Sequence, residues 1–118
     1  MRVLLIGAGG VGDAATRIAA ERDFFDLWLI ADYDLERAKK SARAAITRGG
    51  SRSRFVATQV DASSAEAVAN LAQQHQITHI FNAVDPRFVM PAPAKHRKPG
   101  VDLCAEAREV GLLYAFKR

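Results

Sequence analysis

At 118 residues, 49% hydrophobic and 25% charged, the chain is long enough for one compact core and too short for two ordinary domains. The net charge of +4 invites a nucleic-acid reading, but the basic residues fall in two scattered places: Arg48, Arg52 and Arg54 around a Gly-Gly-Ser turn, and Lys95, His96, Arg97 and Lys98 between prolines, neither with interleaved aromatics for base stacking. Apolar runs are only a few residues long, Met1 abuts the first strand, and Cys104 is the only cysteine, which argue against a membrane span, a cleavable leader, an internal disulfide and a multi-cysteine metal site.

Those exclusions predict a cytoplasmic protein with no nucleic-acid or membrane partner and no metal. Along the chain, short β-like apolar runs alternate with helical periodicity, the pattern of parallel strands joined by crossover helices. The first strand spans Arg2 to Ile6. A helix follows from about Gly10 to Glu21, with Val11, Ala15, Ile18 and Ala19 forming the apolar stripe expected to face the sheet.

The second strand, Leu27 to Ala31, is apolar on both faces, as a buried parallel strand should be. Asp34 offers an N-cap for a helix from Leu35 to about Thr47, which Gly49-Gly50-Ser51 ends. Phe55 to Val60 forms the third strand. Ser63 or Ser64 can cap the next helix, whose Ala67, Val68, Leu71 and Ala72 point toward the core, and Ile77 to Ala83 forms the fourth strand.

Asp85-Pro86 suits a helix start, with Arg87 to Met90 as its opening turn. Pro91 and Pro93 interrupt it, and Pro99-Gly100 breaks the chain again before a helical pattern from about Asp102 to Val110, where Cys104 reads as a small core residue. Leu112 to Phe116 reads as a short fifth strand. The expectation is an α/β, Rossmann-like, doubly wound parallel sheet of order 3-2-1-4 with that possible fifth strand. It forms a single nucleotide-binding domain over 1–118, with a core of 1–90 and a divergent basic tail of 91–118.

The most informative segment is Ile6-Gly7-Ala8-Gly9-Gly10-Val11-Gly12, a G-x-G-x-x-G turn between a strand and a helix, with Asp32 closing the next strand twenty residues after Gly12. Gly7 allows the sharp turn, Gly9 lets backbone approach a pyrophosphate, and Gly12 lets helix and sheet pack closely. The N–H groups near Gly10 and Val11 open toward an anion at the helix start. Asp32 can accept hydrogen bonds from the adenosine ribose and would repel a 2′-phosphate, which favours NAD over NADP; Arg37 is the residue that could weaken that preference.

Asp61 ends the third strand on the same edge and could meet the adenine amino group or serve as a cap. Asn82 and Ala83 leave the fourth strand beside the crevice where the strand order reverses, near the cofactor's second ribose. His75 and His79 have no carboxylate or cysteine partner at ligand spacing. No Y-x-x-x-K pair, G-x-S-x-G elbow or phosphate-loop signature is present, and no catalytic residue is assigned.

With the glycine turn, Ala31-Asp32-Tyr33-Asp34-Leu35-Glu36-Arg37-Ala38 and Phe81-Asn82-Ala83-Val84-Asp85-Pro86-Arg87 in view, the chain resembles the amino-terminal domain of saccharopine dehydrogenase-like oxidoreductases over residues 1 to about 90. That resemblance implies NAD(P)-linked oxidation of amino acids or secondary amines, as in lysine metabolism. It implies a pyrophosphate on Gly7, Gly9, Gly10, Val11 and Gly12, a ribose on Asp32, the adenine side on Asp61, and the nicotinamide-proximal ribose on Asn82 and Ala83. The family's substrate groups lie mostly in a later domain, so the chain is expected to be catalytically incomplete by itself.

The family pattern departs after Met90, where the proline-rich basic segment replaces an apolar helix. Two alternatives stay open: a regulatory nucleotide-sensing module of the kind that gates potassium transport, and an S-adenosylmethionine site. A homodimer is a further expectation, formed through a surface that a missing domain would leave exposed.

Overall fold

Alternating apolar strands and small-residue helices build one five-stranded parallel sheet. The computed structural model describes residues 1–84 and the backbone of residues 113–116. Its strands are β1 (Arg2–Ile6), β2 (Leu27–Asp32), β3 (Phe55–Gln59), β4 (His79–Asn82) and β5 (Leu113–Phe116). The helices among the described residues are α1 (Gly10–Ala20), α2 (Leu35–Thr47) and α3 (Ala65–Gln74). The expected order 3-2-1-4 is present, and the fifth strand pairs in parallel with β4.

β1 and β2 are buried along nearly their whole length because helices cover both faces of the sheet. Side chains alternate between two cores. Leu4, Ile6, Leu27, Leu29 and Ile80 pack with Ala65, Val68 and Ala72 of α3 on one face. Val3, Leu5, Trp28 and Ile30 pack with Ala19 and Ala20 of α1 and Ala38, Ala42 and Ala45 of α2 on the other. Each fully buried leucine or isoleucine contributes roughly 1.5–3 kcal/mol. No helix among the described residues is long and apolar enough to cross a membrane.

The helix caps follow local chemistry. Asp34 Oδ1 accepts from the N–H groups of Glu36 and Arg37, as its position before Leu35 predicts. Ser64, rather than Ser63, caps α3 by accepting from the Ala67 N–H. β4 is shorter than expected: Ile77 and Thr78 precede it, and Ala83 follows it.

The face of α1 departs from the apolar stripe. Gly12, Thr16, Ala19 and Ala20 are the buried positions, Ala15 is partly buried, and Val11 and Ile18 are exposed, Ile18 by 58%. Close approach to the sheet selects small side chains over large apolar ones. A Cβ at Gly12 would stand 1.8 Å from the Gly7 carbonyl oxygen, so the helix turns its glycine inward and carries Thr16 with it. Thr16 Oγ1 then accepts a hydrogen bond from Trp28 Nε1 at 3.0 Å.

Arg54, one of the scattered basic residues, is partly packed into the fold. It is half-buried, its Nη2 donates to the Ala20 carbonyl at 3.4 Å, and its guanidinium lies 5.0 Å from the Phe55 ring centre. Arg48 pairs with Glu21 at 3.4 Å, and Arg52 is exposed. The Asp85–Met90 turn, the proline-rich basic segment and the helical pattern through Cys104 lie outside the described residues.

Candidate functional site

The strand order reverses between β2 and β4, on either side of β1, and the carboxyl ends of these strands frame the site. Gly7 leaves β1 with φ +95°, a left-handed conformation that side chains rarely adopt. Its N–H donates to the Ala31 carbonyl at 2.7 Å, which ties the turn to β2. A Cβ there would lie 2.6 Å from Val84 Cγ1 and 3.2 Å from the Ala83 carbonyl carbon, so Ala83 and Val84 form the wall beside the turn.

Gly9 and Gly10 differ from these packed glycines. Both are exposed, and a Cβ on either would meet nothing within 4 Å. Gly9 is the N-cap of α1 and has no side chain to cover the first N–H groups of the helix. Gly9, Gly10 and Val11 thus form an exposed helix start with no side-chain cap at the positive end of a helix, an arrangement that suits a phosphate.

Asp32, at the last position of β2, is only 6% exposed. Its Oδ2 accepts from the Ala8 N–H at 2.7 Å, and its Oδ1 accepts from the Asp34 N–H at 2.8 Å. The Arg37 guanidinium lies 3.6 Å from Asp32 Oδ1 and 3.9 Å from Asp34 Oδ2, and its side chain remains 54% exposed. A carboxylate offers about four lone-pair sites, so two backbone bonds leave capacity for hydroxyl groups.

A cleft of about 350 Å³ joins these groups. Ile6 and Gly7 at the end of β1, Asp32, Tyr33 and Arg37 after β2, and Asp61, Ser63 and Val84 are among the residues that line it. Asp61 Oδ1 accepts from both the N–H and the hydroxyl of Ser63, at 2.9 and 2.6 Å. Those bonds, hydroxyl first, hold the Asp61 carboxyl below its ordinary value. Asp61 thus closes a local turn and leaves the capping of α3 to Ser64.

Asn82 is buried at 1% exposure, and its Oδ1 accepts from the Val84 N–H at 3.1 Å. The side chain shapes the turn after β4 and does not line the cleft described above. Ala83 meets the glycine turn directly, since its N–H donates to the Ile6 carbonyl at 2.8 Å.

The structure therefore brings Gly7, Asp32 and Asp61 to one cleft, with the open backbone of Gly9, Gly10 and Val11 at the adjoining helix start. Gly12 acts through packing. Tyr33, and Ser63, expected only as a candidate helix cap, also line the cleft. Tyr33 is 74% exposed on the rim, and its carbonyl accepts from Gln59 Nε2 at 2.8 Å; an aromatic residue directly after the strand-ending acid was the available signal.

A family model described as the saccharopine dehydrogenase NADP binding domain matches residues 3–111. A search of curated proteins finds no match. Among solved structures, quinate dehydrogenase from Corynebacterium glutamicum in complex with NAD superposes with a TM-score of 0.58 at 22% identity, covering 96% of this chain and 43% of that one. A UDP-glucose-4-epimerase from Stenotrophomonas maltophila with bound NAD and formylated UDP-arabinopyranose gives 0.63 at 20%, covering 98% of this chain and 36% of that one. A shikimate dehydrogenase in complex with NADP⁺ gives 0.61 at 16%, covering 98% and 42%. These identities speak for the fold alone, and the chain spans less than half the length of each.

Proposed function

The chain belongs to the saccharopine dehydrogenase NADP binding domain family, and from that premise we propose that its cleft at the carboxyl ends of β1, β2 and β3 holds the adenosine half of NAD(H). The observation that carries this reading is the open backbone at Gly9 and Gly10, beside a cleft that contains the Asp32 carboxylate. The pyrophosphate rests on the N–H groups from Gly9 to Val11. Asp32 receives the ribose hydroxyls, Asp61 and Ser63 meet the adenine edge, and the turn at Asn82 and Ala83 passes the nicotinamide-proximal ribose.

The cofactor preference follows from charge. Asp32 repels a 2′-phosphate, whereas the exposed Arg37 guanidinium would attract one; the Asp32 carboxylate lines the cleft and neutralises part of that attraction by standing 3.6 Å from Arg37, which favours NAD. A nicotinamide cofactor, when bound, supplies hydride transfer. This chain's own residues bind and orient it, and the substrate class we assign to the whole oxidoreductase is an amino acid or secondary amine.

Parallel equilibrium titrations with NADH, NADPH and S-adenosylmethionine test the reading. Tighter binding of NADH than of NADPH, with no binding of S-adenosylmethionine, supports it. A preference for NADPH overturns the role given to Asp32, and binding of S-adenosylmethionine alone overturns the cofactor class.

A further inference from the structure

Asp32 has a strand-end position suited to a ribose ligand, yet both its oxygens already serve the protein. Oδ2 holds the Ala8 N–H at 2.7 Å, and Oδ1 holds the Asp34 N–H at 2.8 Å. These donors belong to two different loops, the glycine turn after β1 and the turn between β2 and α2. Ala8 is buried at 5% exposure, and the Asp32 carboxylate is the acceptor its N–H has among the described residues, so removing that oxygen strands a buried donor.

The glycine turn has few other anchors. Gly7 N–H donates to the Ala31 carbonyl at 2.7 Å, and Gly12 sits against the Gly7 carbonyl. Gly9 carries no side-chain cap. Between these points, the bond from Ala8 to Asp32 sets the direction in which the backbone runs into the open positions Gly9 and Gly10.

We propose that Asp32 is a positioning residue for the anion-binding turn as well as a ribose acceptor. One carboxylate clamps the glycine turn to the β2–α2 turn, so recognition of the diphosphate depends on Asp32 even in a ligand that offers it no hydroxyl. Ribose and diphosphate recognition are coupled through this side chain. The proposal rests on the cofactor site given above, and its test separates the two.

The experiment compares wild type, Asp32→Asn and Asp32→Ala in titrations with ADP and with 2′,3′-dideoxyadenosine diphosphate. The second ligand keeps the diphosphate and lacks both ribose hydroxyls. Asp32→Ala should weaken the dideoxy ligand by roughly three- to tenfold and ADP by more, because ADP also loses its direct bonds. Asp32→Asn, which keeps one acceptor oxygen, should fall between. An unchanged affinity for the dideoxy ligand beside a weakened ADP makes Asp32 a ribose ligand only and overturns the proposal.

Amide hydrogen exchange provides a readout that needs no ligand. The Ala8 amide should exchange slowly in wild type and at least about tenfold faster in Asp32→Ala, with Asp32→Asn serving if the alanine variant fails to fold. Core amides such as those of Leu4 and Leu29 should keep their protection. If Ala8 exchange is the same in all three proteins, the clamp is refuted. Should neither nucleotide bind wild type, the cofactor assignment fails while Ala8 exchange still decides the clamp.

Discussion

Gly12 of α1 packs so closely on Gly7 that a Cβ at position 12 would lie 1.8 Å from the Gly7 carbonyl oxygen. No rotamer relieves a clash between a Cβ and backbone. Gly12→Ala should therefore destabilise the fold by about 1–3 kcal/mol or more, as overpacking does. Urea unfolding measures it through a lower midpoint at unchanged slope.

Gly9 predicts the opposite split. A Cβ there meets nothing within 4 Å, and the residue has φ −74° and ψ −163°, extended backbone that any residue adopts. Gly9→Ala should change stability by less than about 0.5 kcal/mol while weakening NADH severalfold, because the methyl group occupies the space of the pyrophosphate. Calorimetric titration beside a urea curve checks both. Equal NADH affinity in the variant would place the phosphate elsewhere.

The contrast between these two glycines shows how far the sequence could be read. Spacing predicts the turn and its neighbouring strand, because each depends on local pattern, and the order of the first four strands follows from the Rossmann-like architecture that the turn and the strand–helix alternation imply. The buried face of α1 does not follow from apolarity. Val11 and Ile18 lose the inward position to Gly12 and Thr16, since backbone distance sets the limit and only small residues meet it. Asp32 was legible as a site candidate, but its two backbone bonds depend on where the Ala8 and Asp34 N–H groups point in space. Asp61 and Asn82 likewise have local partners, Ser63 and Val84, that spacing could only suggest.

Thr16 and Trp28 give a stability prediction inside the core. Thr16 is fully buried and accepts from the indole N–H of the chain's single tryptophan. Thr16→Val keeps the shape and strands that donor, at a cost of about 1–3 kcal/mol. Unfolding followed by Trp28 fluorescence measures it, and an unchanged midpoint would mean that the N–H finds another acceptor.

Asp34 should behave as a helix cap. Its Oδ1 accepts from two backbone N–H groups at the start of α2. Asp34→Ala should cost about 1 kcal/mol, and Asp34→Asn much less. Thermal unfolding of the two variants checks the order.

Acid sensitivity follows from three exposed carboxylates. Hydrogen bonding to the amino terminus lowers Asp26, hydrogen bonding to Lys39 lowers Glu36, and the Ser63 hydroxyl lowers Asp61. Each folded value lies below the unfolded one, so the stabilisation is fully present above the unfolded values of 3.8 and 4.5 and is lost as pH falls through the folded values. Solvent and salt screen these exposed groups, so the effect should shrink at high ionic strength. Stability measured from pH 6 downward at low and high salt tests the sign; a rise in stability on acidification would contradict it.

Amide chemical shifts recorded during an NADH titration test the central claim most directly. The account predicts that the largest changes fall on Gly9, Gly10, Val11, Asp32 and Asp61, at the glycine turn and its cleft. Absence of binding at millimolar NADH, or changes confined to the opposite end of the sheet around Glu21, Phe24 and Arg54, would contradict it.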